Sequence, residues 1–293
     1  MELDTITLYH YTKAENLPDI IAKGRMKLME AGRSNDPFEM NPTFSLPCEG
    51  ASLFLERNLL YMKNSWGEFM EDRSVPSVCF SASISSLLMW SHYAQAHTGV
   101  CLAFRFPLIK ATQYPELLLV DLGDGAYAQL SPIIYTSERI KASDHLRQNA
   151  DNSISYDLMG LLAKLVCSKP KEWEYEKEFR MFLPCDKSRT YSYPAMFTSQ
   201  LLSALTGIVL GNNCRFTLRE VETMLASSKS YANDWDNMSV VRAKLHSEEN
   251  LVKSDDACTF SDMNETEYMH YIHNRLKLTS NGELGSALIS GSL

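Results

Sequence analysis

Between residues 76 and 107 the apolar positions change period twice. Val78-Cys79-Phe80 is a short apolar run of the kind a buried strand needs. Leu87, Leu88, Trp90, Tyr93 and Ala94 then recur at mostly i, i+3 and i+4 spacing. That spacing predicts a helix over Leu87–Ala96, with Gly99 as its C-terminal cap. Val100–Phe106 is a second apolar run, so the stretch reads strand, helix, strand. Polar groups at the strand ends line the cleft of such a unit; here they are Ser81, Ser83, His92 and Tyr93. The same residues also suit a helix that only packs, its Tyr and His groups satisfied locally.

Elsewhere the pattern predicts strands over Thr5–Tyr11, Leu117–Val120, Ile133–Tyr135, Glu172–Leu183, Leu205–Leu210 and Met238–Leu245. Helices are predicted over Ala14–Lys23, capped by Thr12 and stopped by Gly24, and over Ser52–Lys63 and Ser153–Ser168. Two more are predicted, over Thr217–Ser228, with Thr217 as N-cap and Glu220 at N3, and over Asn264–Leu276. Ser34–Glu39 reads as a helix start, with Asp36 as N-cap, Pro37 at N1 and Glu39 closing a capping box. The N–H groups of that turn suit a phosphate. Residues 64–75 are predicted as loop, Gly123-Asp124-Gly125 as a turn, and 279–293 as a disordered Ser/Gly tail. Strands and helices interspersed without a βαβ period indicate an α+β fold with a mixed or antiparallel sheet.

At 293 residues, 45% hydrophobic and 22% charged, the chain suits one large globular domain or one and a half. No window approaches the roughly 18 apolar residues of a membrane span, and the first ten residues lack a signal-peptide pattern. A cytoplasmic protein without membrane contact is expected. Seven cysteines without a CxxC pair argue for a reducing compartment and against a disulfide framework or a cysteine zinc site. A net charge of −8 disfavours wide phosphate-backbone binding and leaves room for a local basic groove. No metal is expected. His92 and His97 do not share a helix face, and the helix carrying Glu267, His270 and His273 is explained by its apolar positions. The common phosphate-loop, Rossmann, serine-hydrolase and zincin motifs are absent.

Candidate chemistry sits in Glu176, Lys177, Glu178 and Arg180. On a strand, Glu176, Glu178 and Arg180 share a face, with the two glutamates about 7 Å apart at Cα. One carboxylate then orients a hydroxyl or nucleophile, and the other stabilises a developing cation. Cleavage at the anomeric carbon of a sugar passes through such an oxocarbenium-like cation. The plainer alternative is a solvated face on which Arg180 pairs with a glutamate. His10 falls at the C-terminal end of the first strand, where a side chain reaches into a cleft from a rigid backbone.

Leu8-Tyr9-His10-Tyr11-Thr12, with Asn16-Leu17 and Ile20–Gly24, is similar to the opening motif of ADP-ribosyltransferase-like domains, particularly bacterial toxins that modify nucleic acids. Asn35-Asp36-Pro37-Phe38-Glu39, then Met89-Trp90-Ser91-His92-Tyr93-Ala94 with Gly99-Val100, then Trp173–Arg180, resembles a large bacterial family of mostly uncharacterised proteins, a divergent branch of the same fold. The match covers about residues 5–215. The resemblance implies a mixed or antiparallel split sheet with surrounding helices over residues 1–245, and a C-terminal helical extension and tail over 246–293. It implies NAD as substrate. In that family His10 would contact a ribose of NAD, Tyr93 or Ser81 would hold the nicotinamide, Glu178 would stabilise the oxocarbenium, and Glu176 would orient the acceptor. Tyr11, Thr12, Asn35, Asp36, His92 and Arg180 complete the expected NAD-binding set. The implied activity is transfer of ADP-ribose to RNA or DNA first, or to a protein, by a toxin held by an antitoxin in a phage-defence setting. Its rivals are an NAD glycohydrolase and a catalytically silent module that binds a nucleotide or a partner.

Overall fold

The structure is a computed structural model, and it describes residues 5–24, 26–29, 35–45, 53–71, 77–110, 118–123, 126–182, 196–197, 199–228, 238–246, 252–254 and 260–280. The predicted Gly123–Gly125 turn, the tail beyond Ser280, and Cys48, Cys185 and Cys258 fall wholly or partly outside those residues.

Nine strands form the main sheet: β1 (Thr5–Thr12), β2 (Ser77–Ser81), β3 (Val100–Lys110), β4 (Leu118–Gly123), β5 (Ala126–Pro132), β6 (Glu178–Phe182), β7 (Leu205–Leu210), β8 (Ser239–Leu245) and β9 (Val252–Ser254). Their order is β1-β2-β6-β5-β4-β3-β7-β8-β9, and β1 also pairs with β3. The first six strands of that order therefore close on themselves, as a barrel where a split sheet was expected. The long β3 makes the closure. Val100–Pro107 pairs with β1 while Leu108–Lys110 continues onto β4. Its first half also carries β7 on the opposite edge, and β7 pairs in parallel with β8. Helices and a mixed sheet together make the α+β fold expected.

Both faces of β1 and β3 are buried, which explains their unbroken apolar runs. Leu8, Leu102 and Phe104 point into one core with Phe80 and Phe179. Their neighbours Tyr9, Tyr11, Cys101 and Ala103 point into another, around Trp90. Cys101 and Cys167 are buried free thiols, and Cys79 is half-buried.

Six α-helices occur among the described residues. α1 (Leu17–Lys23) follows a 3-10 turn over Ala14–Asn16 and ends at Gly24, whose φ of 61° is the left-handed conformation glycine adopts freely. Thr12 does not cap it; the Thr12 hydroxyl accepts a hydrogen bond from Asn16 Nδ2 at 2.9 Å. α2 (Leu53–Glu71) runs past the predicted end at Lys63, because Met62 and Trp66 are buried in a third core. α3 (Leu87–Tyr93) is shorter than predicted and gives way to three consecutive left-handed residues, Gln95, Ala96 and His97. Gly99 is not its cap. A Cβ there would lie 2.4 Å from the Thr12 carbonyl oxygen, so this glycine lets β3 start against the end of β1. α4 (Leu158–Leu165) starts at the Asp157 cap; Ile154–Tyr156, predicted helical, pairs instead with Leu146–Gln148. α5 (Leu218–Ser227) carries the predicted Thr217–Glu220 capping box, and α6 (Glu265–Ser280) closes the described chain.

Two motif segments differ from their predictions. Asp36 starts no helix: its carboxylate accepts from Phe38 N–H at 2.9 Å in a local turn, and the chain leaves through Met40 at φ 58°. Glu172–Leu183 is not one strand. Lys171–Glu176 forms a 3-10 helix, Lys177 turns the chain at φ 42°, and only Glu178 onward is strand. The turn is required because Ser168–Pro170 runs parallel to Ile134–Thr136, whereas β6 runs antiparallel to both its neighbours.

Residues 260–280 pack against the same sheet. Asp262 accepts from the N–H groups of Ile84 and Ser85 and from the hydroxyls of Ser83 and Ser85. Tyr268 and Tyr271 set their rings edge-on to Phe179. No helix among the described residues is long and apolar enough to cross a membrane.

Trp90 is fully buried, and its Nε1 donates to the Ile84 carbonyl at 2.8 Å. Trp90→Ala should therefore lower stability by about 3–5 kcal/mol, read from chemical denaturation. An unchanged unfolding midpoint would show that the ring bears no core load.

Candidate functional site

The register brings three motif segments together. Ser81 is the Cα partner of Tyr9 on one side and of Glu178 on the other, so β1, β2 and β6 lie side by side at one end. Beside them opens a cavity of about 250 Å³. Tyr9, His10, Tyr11, Phe80, Tyr93 and Met89 supply much of its wall, and Asn35, Ser81, Lys169, Glu176 and Glu178 supply polar groups.

The polar side is one connected set of charges. Lys169 Nζ lies 2.6 Å from Glu176 Oε2 and 2.7 Å from Glu178 Oε2. Arg180 Nε donates to Glu178 Oε1 at 2.8 Å, and Arg180 Nη1 lies 2.5 Å from Glu39 Oε1. All five side chains are nearly inaccessible to water. Three carboxylates face two cations, so the fully ionised set carries one net negative charge.

That arrangement separates the two glutamates. Burial pushes the Glu178 carboxyl up, but Arg180 and Lys169 outweigh it and hold it at about 2. Glu176 lies above the ordinary carboxylate range. Burial raises it, Lys169 opposes, and Glu178 adds to the rise. The Tyr93 hydroxyl donates to Glu176 Oε1 and accepts from Asn35 Nδ2 at 2.9 Å. Burial, and then Glu176, pushes that phenol up, so it stays a neutral donor. The Cys79 carbonyl lies 2.9 Å from His10 Nδ1 and can only accept, which places the proton on Nδ1 and leaves Nε2 an acceptor. Burial lowers the His10 pKa and the Cys79 bond partly offsets it, favouring the neutral ring.

The predicted site residues divide into those that line the cavity and those that do not. His10, Tyr11, Asn35, Ser81, Tyr93, Glu176 and Glu178 line it. Two of them have structural work as well. The Ser81 hydroxyl donates to the Glu176 carbonyl at 2.6 Å, and the Tyr11 hydroxyl donates to the Ser83 carbonyl at 2.8 Å. Thr12, Asp36, His92 and Arg180 are not among its lining residues. Thr12 is tied to Asn16, and His92 Nδ1 contacts the Tyr175 hydroxyl at 2.8 Å on the exposed side of α3. Arg180, 1% exposed, sits behind Glu178 and braces it without reaching the cavity. Asp36 lines a second cavity of about 190 Å³ that shares Lys169 with the first. Sequence reasoning passed over Lys169 and the ion pair of Glu39. The only trace of Lys169 is a lysine two residues after the largely apolar Leu161–Cys167. No cluster of potential metal ligands occurs among the described residues.

A family described as a protein of unknown function (DUF2971) matches residues 89–181, less than half of the chain. That span includes Met89–Tyr93 of α3, Lys169, Glu176, Glu178 and Arg180, but not His10, Asn35 or Ser81. No curated protein and no solved structure matches.

Lys177 explains how residues from a 3-10 helix and from a strand aim at one cavity: its left-handed turn lies between the two glutamates. Lys177→Gly should be tolerated to within about 1 kcal/mol, while Lys177→Val should lose about 2 kcal/mol or more, by denaturant unfolding. Equal effects of both changes would remove the backbone turn from this account. Glu178 also sets an acid dependence. Its folded value of about 2 lies below the unfolded value of about 4.3, so it adds stability above the unfolded value that is lost as pH falls towards the folded one. Glu176, shifted upward, has the opposite sign. The melting temperature should therefore fall between about pH 4.5 and 2, and that slope should flatten in Glu178→Gln.

Proposed function

We propose that the cavity binds the nicotinamide–ribose end of NAD and that the protein is an ADP-ribosyltransferase acting on a macromolecule. The observation that carries this reading is the meeting of His10, Tyr93, Glu176 and Glu178, predicted from three separate motifs, around one aromatic-walled cavity. Its chemistry agrees. Oxidised nicotinamide is a planar cation, and an aromatic wall beside a cluster with one net negative charge suits a planar cation. Its size agrees for part of the dinucleotide. About 250 Å³ falls just under the roughly 300–1,000 Å³ of whole small-molecule sites, so the adenosine end extends outside.

In this reading the bond between nicotinamide and the ribose C1′ breaks, and its electron pair leaves with neutral nicotinamide. The resulting oxocarbenium is stabilised by Glu178, ionised throughout the physiological range. An acceptor O–H or N–H then attacks C1′ and gives its proton to Glu176, the more basic of the two carboxylates. His10 Nε2 accepts from a ribose hydroxyl, and the Tyr93 ring flanks the nicotinamide. Nucleic acid is the first acceptor to test, protein the second. Such an activity harms its own cell, so the setting is a toxin with an antitoxin partner.

Incubation with NAD labelled in the adenosine half tests this. Label on RNA, DNA or protein is the expected result; free ADP-ribose alone would make the protein a glycohydrolase, and intact NAD would overturn the reading. Glu178→Gln should lower turnover by about 10²–10³ and relieve growth arrest on expression. Removing one member of a buried ion pair also costs about 3–5 kcal/mol, so turnover is compared per folded molecule. Wild-type turnover by folded Glu178→Gln would exclude the mechanism.

A further inference from the structure

We propose that Lys169 is a positioning residue of this site: it fixes the separation of Glu176 and Glu178 and holds them as a single unit of one negative charge facing the ligand. The inference rests on the NAD reading for its kinetic consequence, and on geometry for the rest.

The two glutamates come from elements with no common geometry, one from the 3-10 helix and one from β6. Ser81 ties both backbones, by pairing with Glu178 and by bonding the Glu176 carbonyl, which brings two carboxylates close in a nearly dry volume where like charges repel strongly. Each has a second partner of its own: Tyr93 for Glu176, Arg180 for Glu178. Among the described residues only Lys169 touches both.

Lys169 is itself held rigidly. It sits on the short strand Ser168–Pro170, paired in register with Tyr135. The Tyr135 hydroxyl accepts from the Glu178 backbone N–H at 2.8 Å. The two-stranded ribbon thus grips Glu178 twice, by its N–H through Tyr135 and by its carboxylate through Lys169. The Lys169 ammonium also lies 5.6 Å from the centre of the Trp173 ring. Only 6% of its side chain is exposed.

Lys169 meets further titratable groups from several elements. Arg180 of β6 opposes its charge, and Cys79 of β2 lies within its field. Glu176 is faced by Tyr93 of α3, by Glu178 and by Lys169. Tyr175, from its own turn, is also within the field of Glu176. Of these, Lys169 is the one cation that favours the ionised form of Glu176 by direct contact. Without it, the two carboxylates are left to share a proton, as close carboxylate pairs do.

The experiment compares the full-length wild type with Lys169→Met, Lys169→Arg, Glu176→Gln and the double variant Lys169→Met/Glu176→Gln. It measures kcat and KM for NAD across pH, and glutamate carboxyl titrations by NMR without NAD. Lys169→Met should lower kcat about 100-fold with KM changed by less than about threefold. It should also move the Glu176 midpoint, and the acid limb of the kcat profile, upward by at least about one pH unit. Lys169→Arg keeps the cation and should recover kcat to within about tenfold of wild type. The double variant, with a matched pair of charges removed, should melt near wild type, turn over poorly, and show a raised Glu178 midpoint. Wild-type kcat and an unmoved Glu176 midpoint in Lys169→Met overturn the proposal. If Lys169→Met does not fold, a Glu178 midpoint in the double variant no higher than in Glu176→Gln alone overturns it instead. A wild type that leaves NAD intact defeats the proposed function, while the carboxyl titrations still decide the role of Lys169.

Discussion

Three carboxylates and two cations share a nearly dry volume between α3, the 3-10 helix at Lys171–Glu176 and β6, and the surrounding structure depends on their staying together. Removing one charge from water costs several kcal/mol, which only a close opposite charge offsets. Each of the five groups therefore requires the others in place. Glu39 arrives from the turn after Asn35, Lys169 from the short ribbon, and Glu176, Glu178 and Arg180 from one continuous stretch. Loss of any one member leaves its partner uncompensated, so the cluster ties three distant parts of the chain into a single arrangement.

The barrel supplies the rigid side of that arrangement. β3 is long enough to pair with β1, β7 and β4, and so closes the ring. β2 is held between β1 and β6, although it meets β1 at the single pair Tyr9↔Ser81. That thin seam is where the cavity opens. The Ser81 hydroxyl, bonded to the Glu176 carbonyl, and the Lys177 carbonyl, bonded to Ala82 N–H, stitch the seam to the turn that carries the glutamates. Asp262 fastens the following loop from the far end of the chain.

The cavity therefore has a fixed polar wall and an aromatic one. The polar wall keeps Glu178 ionised and Glu176 closer to neutrality, a division that follows from the number of cations each touches. The aromatic wall comes from β1, β2 and α3 and is anchored to the core: Trp90 and Tyr11 meet edge to face, and both bond backbone carbonyls.

Wherever the deciding contacts are local, the amino-acid sequence by itself determined the outcome. The Thr217–Glu220 capping box, the left-handed stop at Gly24 and the apolar runs of β1, β3 and β7 depend on neighbours within about four residues or on burial of a whole run. The gathering of His10, Ser81, Tyr93 and Glu178 was expected only through the resemblance of their motif blocks to a known family; neither their spacing nor their order along the chain places them together. Tertiary structure alone decided the rest. Asp36-Pro37 has every local mark of a helix start, yet Glu39 is drawn to Arg180, 141 positions away, and cannot complete a capping box. Glu176 and Glu178 alternate as if on one strand, yet Ser81 captures the Glu176 carbonyl from 95 positions away and the chain must turn between them. Lys169 carries no local signal beyond following an apolar run. Its role arises from two carboxylates that meet only once β6 has paired with β2, and the electrostatic cost of that meeting is a property of the folded interior that no local spacing encodes.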